Sequence, residues 1–489
     1  MSDPGGVTPD TTPGSAPPAV DAAPAPAPAP APAAAAPPDP TELLKSRSYV
    51  QLLVLAALIG VPISAVAYFY LALVGKLQHW IFTSLPSDLG FHGTPVWWPF
   101  PLLLVAGVLV SLTIVYLPGT SGHEPADGFQ AGGGAPTGIE LPGVVLASVA
   151  TLALGVVLGP EAPLIAIGGG LGALAVKLAA KDAPPMAGTV MAAAGSFAAI
   201  STLLGSPIVG AFLLMEASGL GGPLLGLVLV PGLLAAGVGT LIFVGLDHLT
   251  GLGTFSLAIP GLPVFSHPTG VLFLWGIAIA VVATFLGTAI RIGALAARSV
   301  VVRNRLVWTP VAGLVVAGAA VGFAELTHRG AETVLFSGQS ALPGLVLQAS
   351  TWTVGALVVL GIAKSIAYAV SLSGFRGGPI FPSMFIGAVI GVAGSHLPGL
   401  SLVPAVAMGI GAMTTVMLRL PLTATLLAVL LFASDGLSVT PLVIVAVVVA
   451  YVLTARMPQK PADLTWHRRT DGAAPPAGAG DAPAPAAGA

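Results

Sequence analysis

Long apolar stretches separated by short polar or glycine- and proline-rich joints dominate the chain. They run roughly over 49–75, 101–117, 141–181, 186–217, 222–246, 269–290, 309–325, 353–373, 379–397, 403–433 and 437–455. A single membrane-crossing helix needs about 20 apolar residues. Several of these stretches are too long for one crossing and too interrupted for a straight one. The pieces at 159–180, 207–217, 379–395 and 421–433 each carry a proline near their start. Proline suits a first helical turn, because its missing N–H would be unpaired there anyway. The pattern therefore predicts helices that begin inside the bilayer after an irregular approach. Such backbone is tolerated at that depth only when protein or a wet cavity surrounds it.

Two of these helix starts repeat one another. Residues 159–172 read GPEAPLIAIGGGLG and residues 378–391 read GPIFPSMFIGAVIG, both fitting G-P-x-x-P-x-x-x-I-G-x-x-x-G. Downstream, PIVGAFLLME at 207–216 parallels PLTATLLAVL at 421–430. Two elements recurring in the same order at nearly the same spacing predict a duplicated half, about 45–246 followed by about 269–457. Transporters built from two such repeats place their substrate where the interrupted helices of each half meet.

Composition sharpens this picture. Of 489 residues, 55% are hydrophobic and 7% charged, against about a quarter charged in soluble proteins. An all-α, multi-pass integral membrane protein follows. The net charge of −2 argues against nucleic-acid binding, which needs a basic surface. With no cysteine, thiolate metal sites and cysteine nucleophiles are excluded. Residues 1–44, rich in alanine and proline, and 458–489 read as tails without a core-forming face, adding no soluble domain. Lys45 and Arg47 before the apolar region, with Arg456, Lys460, Arg468 and Arg469 after it, place both termini in the cytoplasm by the positive-inside rule. Trp80, Trp97 and Trp98 read as an interfacial belt.

The interrupted helices carry the candidate chemistry. A helix N-terminus offers free N–H groups and the positive end of the helix dipole. Two of them converging near 159–163 and 378–382 would hold an anion without a full positive charge. Arg376, in SGFRGG at 373–378, would add a cation beside one of them. Glu161 stands among apolar residues at the other, where its carboxylate can compete with an anion for the same donors. An acid inside a membrane segment is functional by default. His123, Glu124 and Asp127 match no standard metal spacing and read as a polar loop. The spans carry no H-E-x-x-H or G-x-S-x-G, so an embedded enzyme is disfavoured and no cofactor is expected.

These residues resemble the CLC family of chloride channels and proton-coupled chloride exchangers. GPEAP at 159–163 is similar to its G-[RK]-E-G-P motif, and SGFRGGPIFPSMFIGAVIG at 373–391 to its G-x-F-x-P region. TSGHEPADG at 120–128 is a degraded G-S-G-I-P loop, and SPIVGAFLLME at 206–216 and LPLTATLLAVLLF at 420–432 match its two proline-led helices. The resemblance covers about 45–455 and implies a fold of two inverted halves with tilted, interrupted helices. It also implies a homodimer in the cell membrane that carries chloride or a similar anion, with protons as a second substrate in exchangers. Carried over, Glu161 is the gate, the Ser121 hydroxyl donates to the central anion, and the N–H groups of Glu161, Ala162, Ile380 and Phe381 line the anion sites.

The departures are specific. Pro160 replaces the basic residue before the gate, Ala162 replaces glycine, and Pro379 falls where the family offers an N–H. The family's late tyrosine has no counterpart after Tyr451. Exchangers carry an inner proton-transfer glutamate one residue after the acid matched by Glu216, and here that residue is Ala217. This weakens proton-coupled exchange relative to a passive channel. It leaves Glu216 either as part of another proton pathway or as a helix-end acid. A membrane scaffold without transport is the remaining alternative.

Overall fold

Each interrupted apolar stretch resolves into short helices broken where glycine and proline cluster. The computed structural model describes residues 45–129, 134–179, 185–219, 222–252, 258–265, 267–432 and 436–458. The tails expected over 1–44 and 458–489 lie outside these residues, apart from Pro458.

The first half contains α1 (Arg47–His79), α2 (Pro99–Tyr116), α3 (Leu141–Ala153), α4 (Glu161–Ala179), α5 (Pro185–Leu204), α6 (Pro207–Ser218) and α7 (Gly222–Thr250). The second contains α8 (Gly270–Val301), α9 (Arg305–Thr327), α10 (Val354–Gly374), α11 (Ile380–Gly394), α12 (Leu402–Leu418), α13 (Pro421–Leu431) and α14 (Gly436–Arg456). Nine helices are long and apolar enough to cross a membrane among the described residues. Five shorter apolar ones, including α6, α11 and α13, accompany them among the described residues.

The repeat read from the helix starts extends through the packing. In the first half α4 packs on α5, α1 on α7 and α5 on α7; in the second α11 packs on α12, α8 on α14 and α12 on α14. The shared glycines explain the tightest of these contacts. A side-chain carbon on Gly168 would lie 2.3 Å from the Gly195 carbonyl oxygen, and one on Gly172 would lie 2.1 Å from that of Met191. Gly387 and Gly391 hold the same places in the second copy, 2.4 Å from the Gly409 carbonyl oxygen and 2.4 Å from Val406 Cα. Small residues let the backbones approach, which is how helices gain packing energy when lipid is as apolar as their side chains. Outward faces of α1, α2 and α8 remain apolar, as Phe69, Leu112 and Phe285 illustrate.

The tryptophan belt is corrected in one member. Trp80 and Trp97 are each 51% exposed, but Trp98 is buried and donates its Nε1–H to the Ile81 carbonyl at 3.0 Å. It closes the π-helical turn Trp80–Ser84 against the start of α2, a structural role for a buried indole with its N–H satisfied.

Candidate functional site

The chain leading into α4 and the chain leading into α11 meet antiparallel at Gly159 and Gly378. The Gly159 N–H donates to the Gly378 carbonyl at 2.8 Å, and the Gly378 N–H returns to the Gly159 carbonyl at 2.6 Å. This reciprocal pair satisfies the irregular backbone at membrane depth and holds the two helix starts side by side. Glycine at both positions also leaves room for the Glu161 carboxylate. A side-chain carbon would fall 2.2 Å from a Glu161 carboxylate oxygen at Gly159, and 1.8 Å from one at Gly378.

Glu161 begins α4 yet serves the other helix. Its Oε1 accepts the Phe381 N–H at 2.8 Å, filling an orphan donor in the first turn of α11. At the N-cap of α11 stands Pro379, which offers neither a capping side chain nor an N–H. The carboxylate is fully buried, and its Oε2 has no hydrogen-bond partner. A carboxyl group thus sits on a helix N-terminus, where anions are favoured.

Three other residues expected at the site lie beside a cavity of about 600 Å³ reaching from the polar loop at 119–128 to the start of α4. Ala162, Ser121 and Arg376 line it, together with Pro379. Ser121 adopts a left-handed backbone at φ 56°, and its buried Oγ has no hydrogen-bond partner. Ser121 thus combines a sparsely populated backbone conformation with an unfilled buried hydroxyl. The Glu161 carboxylate, Ile380 and Phe381 are brought together at the helix starts, and Ser121 and Arg376 at the cavity.

Glu216 lies elsewhere. From α6 it accepts the N–H groups of Leu422 and Thr423 at 3.0 and 2.8 Å and the Thr423 hydroxyl at 2.6 Å. It caps α13, whose N-cap residue Leu420 provides no side-chain bond.

Three residues to which the sequence assigned no site role are engaged around it. Tyr368, buried on α10, donates its hydroxyl to the Pro379 carbonyl at 2.8 Å and holds the turn into α11. Lys364, one turn earlier, donates to the carbonyls of Leu335 and Phe336 at 2.8 and 3.0 Å. Their four-residue spacing on one helix face, in AKSIAY, was the available signal. Glu124, expected only as part of a polar loop, gathers three arginines. Its Oε2 accepts from Arg298 at 2.5 Å, and its Oε1 pairs with Arg305 and lies 3.6 Å from Arg376 Nη2. Arg298 also reaches Asp127 at 2.8 Å.

The chain is similar to known proteins in sequence and in fold. The family model described as voltage gated chloride channel matches residues 126–455. A curated relative, "Putative ion-transport protein YfeO" of Escherichia coli O6:H1 (strain CFT073), is 28% identical over 376 residues, covering 72% of this chain and 81% of the relative. A slow cyanobacterial Cl−/H+ antiporter superposes with a TM-score of 0.67 at 20% identity, covering 86% of this chain and 97% of its own. A CLC-type fluoride/proton antiporter superposes at 0.61 with 18% identity, covering 84% and 96%. At these identities the solved structures establish the shared fold.

Proposed function

This chain belongs to the voltage-gated chloride channel family, and we propose that it carries a chloride-type anion across the membrane through a path gated by Glu161. One observation carries the reading. The Glu161 carboxylate occupies the α11 N-terminus, accepting the Phe381 N–H at 2.8 Å where a permeating anion would be held. Protonation or withdrawal of this carboxylate vacates the donors, so that ion occupancy and the state of Glu161 exclude one another. Backbone N–H groups suit a permeant ion because they hold it without a full charge and release it.

Proton-coupled exchange is the second reading. It is supported by the two solved neighbours, both described as antiporters. Ala217 favours passive conduction, because it removes the family's inner acid. The family resemblance further leads us to propose a homodimer with one path in each subunit.

The test is chloride efflux from liposomes reconstituted with the folded chain, with proton movement recorded at the same time. Wild-type protein is expected to release chloride, and Glu161→Gln and Glu161→Ala to change both the rate and its pH dependence. Uphill proton movement driven by a chloride gradient identifies an exchanger; chloride flux without it identifies a channel. Folded wild-type protein that passes no anion of the halide or nitrate class would sink the transport reading and leave the scaffold alternative.

A further inference from the structure

Arg376 is a buried charge that the path described above does not use. It occupies the loop between α10 and α11, is 2% exposed, and lines the cavity below the α4 start. Part of its guanidinium is fixed. Nε donates to the Thr120 carbonyl at 3.0 Å, and Nη1 to the Phe375 carbonyl at 3.3 Å. Its backbone N–H is taken by Thr151 Oγ1 at 3.3 Å, so the whole residue is held in place. The remaining nitrogen, Nη2, is buried and has no hydrogen-bond partner. Glu124 Oε1 lies 3.6 Å from it, within ion-pair reach but beyond a hydrogen bond, and that oxygen is already engaged by Arg305.

The charge balance points the same way. In this network Arg298, Arg305 and Arg376 face Glu124 and Asp127, leaving one positive charge in excess. Glu140, an acid that lines the cavity outside this network, is held by the Thr137 N–H and hydroxyl at 2.7 and 2.9 Å. Ser121, next to the carbonyl that holds Arg376, lines the same cavity and has a second buried donor without a partner. A desolvated cation with an open donor is costly unless an anion completes it.

We propose that Arg376 is a direct side-chain ligand for a small monovalent anion in this cavity, acting with Ser121, and that Glu124 limits its affinity by holding the guanidinium as a competing counter-ion. The inference rests on the anion-transport reading above and assigns that path an inner site built on a formal charge. Such a site makes up for the backbone donors lost at Pro160 and Pro379. Glu124 is a positioning residue here: it touches the arginines, and acts on the anion through them.

The experiment is calorimetric titration of the full detergent-solubilised chain with sodium chloride, alongside efflux from liposomes. Arg376→Gln is expected to weaken chloride binding by about tenfold or more, the range carried by a charge-assisted hydrogen bond. Arg376→Lys keeps the charge without the fork and is expected to recover part of that loss. Glu124→Gln is expected to tighten binding by about threefold or more, by removing the competing carboxylate. This last change is one that a merely structural role for the cluster does not produce. Should Arg376→Gln fail to fold, Arg376→Lys and Glu124→Gln decide the matter. Chloride affinity unchanged in Glu124→Gln and in the folded Arg376 variant, in a chain that still conducts, overturns the inner site and leaves transport standing. A wild-type chain that neither binds nor conducts any anion overturns the transport reading instead, and the inner site with it.

Discussion

At the scale of single residues, Glu124 and Glu161 show how one side-chain type serves opposite ends. Glu161 is buried with one oxygen unpartnered, whereas Glu124 sits among three guanidiniums. Burial opposes ionisation of Glu124, but Arg376, Arg305 and Arg298 outweigh it and hold its carboxyl below the ordinary value of 4.5. A carboxyl lowered by the fold stabilises the native state above its ordinary value, and that contribution is lost as pH falls through the lowered one. Glu124→Gln is therefore expected to melt at a lower temperature than wild type near neutral pH. The deficit should be roughly 1–3 kcal/mol, less than for a fully buried pair because Glu124 keeps some contact with solvent. The gap should close as pH drops below 4.5. Melting curves of both proteins in detergent across that interval check it, and a gap independent of pH removes the electrostatic account.

At the scale of elements, the glycines of the repeat decide how closely helices pack. Gly168→Ala places a carbon 2.3 Å from the Gly195 carbonyl oxygen, and Gly387→Ala places one 2.4 Å from that of Gly409. Each is expected to destabilise by about 1–3 kcal/mol, the usual cost of overpacking. Gly188, on α5 with nothing within 4 Å of the added carbon, is the contrasting case. Gly188→Ala should be neutral or slightly stabilising, since alanine is the better helix former. Equal melting temperatures for all three variants would mean that the two interfaces yield freely. These same glycines made much of the fold legible. Proline-led starts expected near 159, 207, 379 and 421 match helices beginning at Glu161, Pro207, Ile380 and Pro421. Local chemistry dictates a helix start, so sequence reveals it. The arginine network was not legible, because Glu124 and Arg305 are 181 residues apart and no local rule links them. Trp98 misled for the same reason: its partner Ile81 is supplied by a turn 17 residues earlier.

At the scale of the whole molecule, the two halves are joined by carboxylates of the first that cap helices of the second. Glu161 reaches the start of α11, and Glu216 the start of α13. The geometries differ in a way that separates their roles. Glu216 is half-buried, and both of its oxygens are engaged by fixed donors of one helix turn. Glu161 leaves one buried oxygen unpartnered beside a neighbouring helix start. The first arrangement is a cap; the second fits the gate proposed above. Removal of a helix cap costs about 0.5–2 kcal/mol, so Glu216→Ala is expected to lower the melting temperature while the pH profile of anion flux keeps its wild-type shape. Glu161→Ala is expected to alter the pH profile. Recording both quantities for both variants distinguishes a join between halves from a gate. If Glu216→Ala instead shifts the pH profile or abolishes coupled proton movement, Glu216 belongs to a proton pathway that bypasses Ala217. The cap would then also be a relay, and the exchanger reading would gain the inner acid that Ala217 removes.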